Sequence, residues 1–153
     1  MSREPELRFR HVDDEKWQEV RALQIGDRRA GVWEKWLDFT PGFLSLYARW
    51  DPGMMIHKHG HNSDHVVFVL EGEMSCGDVK CSKGMHISLE KGAAFGPFVA
   101  GPEGVELFEV MMGDPRSFPA DTEGFDKLLA EKNAKRLPNP PINMPEWLED
   151  TRN

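Results

Sequence analysis

Through the middle of the chain, apolar and polar side chains alternate with a period of two. In residues 43–50, FLSLYARW, Leu44, Leu46, Ala48 and Trp50 share one face, while Phe43, Ser45, Tyr47 and Arg49 share the other. Successive side chains of a strand point to opposite faces, so this segment reads as β, with the first set toward a core. Residues 66–76, VVFVLEGEMSC, are rich in β-branched and aromatic residues and read as a second strand. Gly77-Asp78 then supplies a two-residue hairpin turn, which pairs Cys76 with Val79 and leaves the sulfurs of Cys76 and Cys81 diagonal. MHISL at 85–89 is a further strand, with Met85, Ile87 and Leu89 opposite His86 and Ser88, so that His86 points outward. Residues 90–98 form a glycine-containing loop, and VELFEVMM at 105–112 is the last strand. Asp114-Pro115 is expected to end the β region.

The flanks follow other patterns. Residues 1–40 mix charges with Phe9, Trp17, Trp33, Trp36 and Phe39, which suggests extra strands and an arm laid on the β core. Residues 121–136 are amphipathic: Asp121 or Thr122 caps a helix, Phe125, Leu128 and Leu129 form its buried stripe, and Lys135 and Arg136 suit its C-terminal end. The tail beyond holds four prolines and is expected to be extended. Its Ile142, Met144, Trp147 and Leu148 need a surface, either their own barrel or a twin subunit in a homodimer.

At 153 residues the chain fits one domain with a sizeable core, and neither repeats nor low-complexity tracts interrupt it. A formal charge of −7 with no basic run argues against a nucleic-acid surface and for small molecules or another protein as partners. No segment approaches the roughly 20 apolar residues of a membrane span, and the charged N-terminal stretch lacks an export signal's apolar core. Two cysteines, read as buried thiols, agree with a reducing, cytoplasmic setting.

Four of the six histidines, His57, His59, His61 and His65, lie within nine residues. In an extended chain the first three project from one face. Gly60, Asn62, Ser63 and Asp64 offer turn chemistry, after which a returning strand brings His65 to the same pocket. Clustered imidazolium groups repel, whereas neutral imidazoles sharing a divalent cation are stabilised, which favours a metal site. A solvated patch, a pH-sensing cluster and a metal-free ligand pocket are the alternatives. Imidazole donors suit Fe, Zn, Ni and Cu. Glu71, Glu73, Glu90 and Glu109 are candidate bases. Phe68, Phe95, Phe98, Phe108, Met111 and Trp50 are candidate pocket walls, and Arg49 is a candidate receiver for a substrate carboxylate if its face lines the pocket. No Ser/His/Asp set, phosphate loop or cysteine nucleophile stands out.

The histidine stretch resembles the first motif of the cupins, G-x5-H-x-H-x(3,4)-E-x6-G, with Gly53, His59, His61, position 65 and Gly72 in register and His65 where cupins usually carry Glu. The second motif, G-x5-P-x-G-x2-H-x3-N, falls on Gly84, Glu90, Gly92, Phe95 and Val99, so its glycines are present and its Pro, His and Asn are not. The resemblance covers residues 43–112. It implies an all-β chain: a cupin-type double-stranded β-helix, or jelly-roll barrel, at 31–113, after an arm at 1–30 and before a short helix and extended tail at 114–153. It further implies a divalent transition metal, iron foremost, held by His59, His61 and His65 with His57 as a fourth ligand or supporting group, and a substrate pocket formed by Phe95, Phe68, Arg49 and Phe108. All-histidine cupin sites occur among iron dioxygenases of diketone and thiol substrates. The implied function is therefore oxidation of a small chelating diketone, oxo acid or similar molecule. A metal-dependent lyase or isomerase of oxo or hydroxy acids, and a non-enzymatic ligand-binding cupin, are the other readings.

Overall fold

Among the described residues ten strands join in one hydrogen-bonded sheet, and its two longest members organise the rest. The computed structural model describes residues 3–152. Within it, β5 (His59–Cys76) and β9 (Phe98–Pro119) pair antiparallel along nearly their whole length, from His59↔Pro119 to Cys76↔Phe98. On the far side of β9, β3 (Leu44–Trp50) pairs in turn with β2 (Arg28–Phe39), and β2 with β1 (Gln18–Ile25). The short β4 (Met55–Ile56) also pairs with β9, while β6 (Val79–Ser82), β7 (His86–Leu89) and β8 (Ala94–Phe95) pair with β5.

Register shifts interrupt the β5–β9 ladder near His61, Leu70 and Glu73, and such bulges bend and twist a strand pair, rolling the sheet around its apolar face. Gly72, in the left-handed region at φ +74°, sits at one bend, where an added Cβ would run into the Gly104 carbonyl. The alternation read from sequence is the burial pattern observed: Leu44, Leu46, Ala48 and Trp50 are buried on β3, and Val105, Leu107 and Met111 on β9. Val32, Leu46, Val69, Met74 and Leu107 are almost wholly withdrawn from water. Each fully buried side chain of this size contributes about 1.5–3 kcal/mol to the folded state. Cys76 pairs with Val79 across the Gly77-Asp78 hairpin, and both cysteines are free thiols.

Several boundaries differ from the sequence expectation. The sheet begins at Gln18, so the arm is residues 3–17, with a 3-10 turn at Val12–Asp14, and does not extend to 30. No turn separates His61 from His65, because β5 runs straight through. The even spacing keeps His65 on the inner face, and neighbours on both sides satisfy the backbone. Nor does the β region end at Asp114-Pro115. Residues 114–116 bulge out opposite Asn62 alone, a position that tolerates a proline without a donor, and pairing resumes at Ser117.

The helix α1 (Thr122–Glu131) is capped by Asp121, whose carboxylate accepts from the Gly124 N–H, an arrangement contributing about 1 kcal/mol. It buries Phe125 and Leu129 and stops short of the expected Arg136. Asn133 turns the chain through φ +52°, and β10 (Ala134–Arg136) adds to the edge of β1. The tail that follows lies on its own barrel. Asn143 N–H donates to Gln18 Oε1, Arg152 donates to the carbonyls of Val20 and Pro140, and Trp147 meets Phe39 edge-on at 5.4 Å. No helix among the described residues is long and apolar enough to cross a membrane.

Candidate functional site

Inside the rolled sheet is a cavity of about 170 Å3, to which nearly every long strand contributes a side chain. β5 supplies His59, His61 and His65, β9 supplies Glu109, β1 supplies Arg21 and β2 supplies Glu34. Trp36, Phe39, Trp50, Phe95, Phe98 and Met111 form its apolar wall, and Ile142, Met144 and residues 150–152 of the tail complete it. This is the combination expected of a small-molecule site: a mostly apolar concavity with a few convergent polar groups.

The three cavity histidines are among the few buried polar residues of the chain. Each ring is oriented by a partner. His59 Nδ1–H donates to the His57 carbonyl at 2.7 Å, and His61 Nδ1–H donates to the Pro115 carbonyl at 2.7 Å, which leaves Nε2 of both rings as a lone-pair donor. Carbonyl acceptors on the distal nitrogen are the usual support of metal-binding imidazoles. His65 turns the other way, with its Nε2 2.9 Å from Glu109 Oε1. His61 Nε2 and His65 Nδ1 are buried and have no hydrogen-bond partner, an arrangement that costs free energy unless something in the cavity satisfies them.

Burial keeps the His59 and His61 rings neutral at neutral pH. Burial, reinforced by the neighbouring His61, pushes His59 well below the usual histidine range, and burial followed by His65 pushes His61 down to about 4. Neutral imidazole is the form that ligates a cation. The donor set thus fits a divalent transition metal in its chemistry. Ring centroids of His59 and His61 lie 5.1 Å apart and those of His61 and His65 4.7 Å. Among the described residues no three His, Cys, Asp or Glu side chains form a metal-holding group.

The structure separates the other sequence candidates. Phe95 lines the cavity, pairs with His59 across β8 and β5, and brings its ring within 5.3 Å of His59 and 5.5 Å of His65. The ring of His57 does not line it. The chain leaves β4 before His57 and enters β5 after it; the half-buried ring lies 4.9 Å from the His59 ring and 6.0 Å from Phe125 of α1, and the His57 backbone carbonyl accepts from His59 Nδ1. Phe68 and Phe108 also lie outside. They face each other across β5 and β9 on the outer side of the sheet, 41% and 38% exposed, because each is out of phase with the buried positions of its strand. Arg49 shares that outer phase on β3, and its guanidinium stacks on Trp17 and Trp33 at 4.9 and 5.7 Å. His86 is exposed.

Of the four candidate bases, only Glu109 reaches the cavity, and its place was written in the alternation, a carboxylate in phase with Val105, Leu107 and Met111. Glu34 was missed although it carries the same signal, being in phase with Ala30, Val32 and Trp36. Burial, then the Glu109 carboxylate, raises the Glu34 carboxyl to about 7, while Trp36 Nε1–H donates to its Oε1 at 2.9 Å. Arg21 and Arg152 enter from β1 and from the tail, and no local pattern marks either.

No protein-family model and no curated protein matches the sequence. Solved structures do match in shape. An acetylacetone dioxygenase from Acinetobacter johnsonii superposes with a TM-score of 0.61 at 13% identity, over 81% of this chain and 84% of that one. The polyketide cyclase RemF from Streptomyces resistomycificus gives 0.60 at 20% identity, over 84% and 97%. A protein from Shewanella frigidimarina described as RmlC-like gives 0.56 at 16% identity, over 78% and 96%. At such identities the likeness is one of fold.

Proposed function

Because the chain has the cupin fold, a jelly-roll barrel closed around one cavity, we propose that it is a metal-dependent cupin enzyme acting on a small molecule with chelating oxygens, such as a diketone or an oxo acid. His59, His61 and His65 are the residues that would hold the metal, with iron the leading candidate and Zn, Ni or Cu the others. The observation that carries this reading is the pair of buried, unpartnered ring nitrogens, His61 Nε2 and His65 Nδ1, at the wall of a mostly apolar cavity. A divalent ion bound there would supply Lewis-acid polarisation of ligand oxygens and, as iron, a route for oxygen-dependent oxidation. The residues of the chain do the rest. The His57 and Pro115 carbonyls hold two imidazoles in the required tautomer, and Phe95 keeps one flank apolar for the ligand's hydrocarbon part. Ile142 and Met144 of the tail exclude water. Three neutral protein donors leave the ion's charge to be balanced by an anionic ligand, which favours an enolate or a carboxylate.

A second reading, lyase or isomerase chemistry without oxygen, is favoured by Glu34 and Glu109, two carboxyl groups facing the same cavity. Elemental analysis of untagged protein prepared without added metal tests the shared premise, and should find close to one first-row divalent metal per chain. His59→Ala and His61→Ala should lose it. His57→Ala should keep it, since the substitution leaves the supporting carbonyl in place. Stoichiometric metal in both His59→Ala and His61→Ala would sink the proposal. Oxygen uptake with acetylacetone, compared with product formation in its absence, then decides between the two chemistries.

A further inference from the structure

We propose that Glu34 is the cavity's acid–base group, moving a proton between its carboxyl and a carbon or oxygen of the bound ligand; this rests on reading the cavity as a site for oxygen-chelating molecules. Glu34 stands on β2 in phase with inward positions, and Trp36 Nε1–H holds one of its oxygens, Oε1, which fixes the carboxyl plane. The transfer is assigned to Oε2, the oxygen that Trp36 does not hold. From β1 Arg21 lines the same space, from β9 Glu109 and Arg116, from β5 His59, His61 and His65, and from the tail Asp150 and Arg152, while β3 adds only Leu44 and Trp50.

These surroundings divide the roles. Glu109 is engaged by His65 Nε2 at 2.9 Å, and the Nε2 lone pairs that His59 and His61 keep while their Nδ1–H groups donate to carbonyls are the ones the proposed metal would take, so none of the four is left as a free proton carrier. Asp150 is taken up by the Arg152 guanidinium at 2.9–3.1 Å, which leaves Glu34 as the carboxyl with ligand-facing surface next to a second carboxylate, and two such groups in different environments are how sites set one aside as an acid. Burial and Glu109 bring it to about 7, with Arg21 and Arg152 opposing, so both of its forms are populated near neutrality. In its anionic form Oε2 takes a proton from the carbon next to a ligand carbonyl. The C–H bond breaks, an O–H bond forms on Glu34, and the C–H electron pair becomes the C=C bond of an enolate as the carbonyl π pair moves onto oxygen. Returning the proton to carbon or to the enolate oxygen restores the carboxylate, and no oxidant or reductant enters.

Two measurements on the 153-residue chain test this. The first follows deuterium entry at C3 of 2-oxobutanoate in D2O without oxygen, by proton NMR. Glu34→Gln should lower the catalysed rate by roughly 10²–10⁴-fold, and Glu34→Asp should restore part of it. The second is infrared spectroscopy of metal-free protein at pH 6, where wild type should show the carbonyl band of a protonated carboxyl that Glu34→Gln lacks. The inference is overturned if wild type catalyses no exchange, if Glu34→Gln exchanges at the wild-type rate, or if the band survives in Glu34→Gln. Metal content separates this outcome from the premise. Glu34-dependent exchange by a protein that holds no metal would remove the metal reading and leave the role of Glu34 standing.

Discussion

Phe95 sits beside His59 and His65 at ring-centroid distances of 5.3 and 5.5 Å, where a donor atom would be in reach of anything those histidines hold. An apolar ring there leaves that side of the cavity without a ligand and suited to hydrocarbon. If the cavity works as proposed, Phe95→His is expected to add a nitrogen donor, tighten metal binding and slow turnover by filling a place the substrate or O2 would need. Titration with Fe(II) and Zn(II), together with the metal's spectrum, checks this. Unchanged affinity with no new nitrogen donor would mean that residue 95 does not face the metal. At the same scale, the displaced candidates share one cause. Phe68, Phe108 and Arg49 are large and chemically suggestive, but the pleat, not the chemistry, decides which face a strand residue takes.

The β5 element owes its shape to Gly60, which lies between two of the histidines and is buried where β8 and the end of β9 converge on the strand. An added Cβ would run into the Ala93 carbonyl and the ring of Phe118. Backbone cannot yield there as a side-chain tip can, so Gly60→Ala is expected to cost about 1–3 kcal/mol, as overpacked sites do. Because the strand must shift to relieve the contact, the His59 and His61 rings should move off their carbonyl partners. Thermal melts should show a lower Tm, and metal binding should weaken more than the stability loss alone implies. A Gly60→Ala protein with wild-type Tm and metal affinity would count against this account of β5.

Across the whole molecule, the cavity's titrating groups pull stability in opposite directions. His61 is lowered from 6.5 to about 4 by burial, so the unfolded chain binds more protons between those values. Its contribution is fully present above about 6.5 and is lost as pH falls toward 4, up to about 3 kcal/mol. His59 acts in the same sense. Glu34 is raised to about 7, so its contribution is present below 4.5 and is lost as pH rises through 7. Metal-free protein should therefore have a Tm maximum near neutrality or slightly below, with a fall on the acid side that His61→Gln flattens. Glu34→Gln should raise Tm more at pH 8 than at pH 5. An acid limb unchanged in His61→Gln would show that this histidine is not held neutral by the fold.

The alternation of Leu44, Leu46, Ala48 and Trp50, the Gly77-Asp78 turn and the His-x-His spacing were enough to determine β-strands with histidines on one face, because side-chain phase along a strand is a local property, while the barrel was implied by the resemblance to the cupin motifs. That phase also held the signal for Glu109 and for Glu34, a carboxylate in step with apolar neighbours. Other features depend on where separate strands meet. That His65 needs no turn to reach the cavity follows from pairing with β7 and β9 on either side of it. That the chain stays β past Pro115 follows from a bulge that only the β5 partner makes possible. The Pro115 carbonyl on His61 is 54 residues away in sequence, and the Arg152 contact with the Val20 carbonyl spans 132. Such contacts carry no periodic trace, so the tertiary structure alone decided which backbone oxygens steady the histidines, which carboxyls share their cavity, and that the tail closes it.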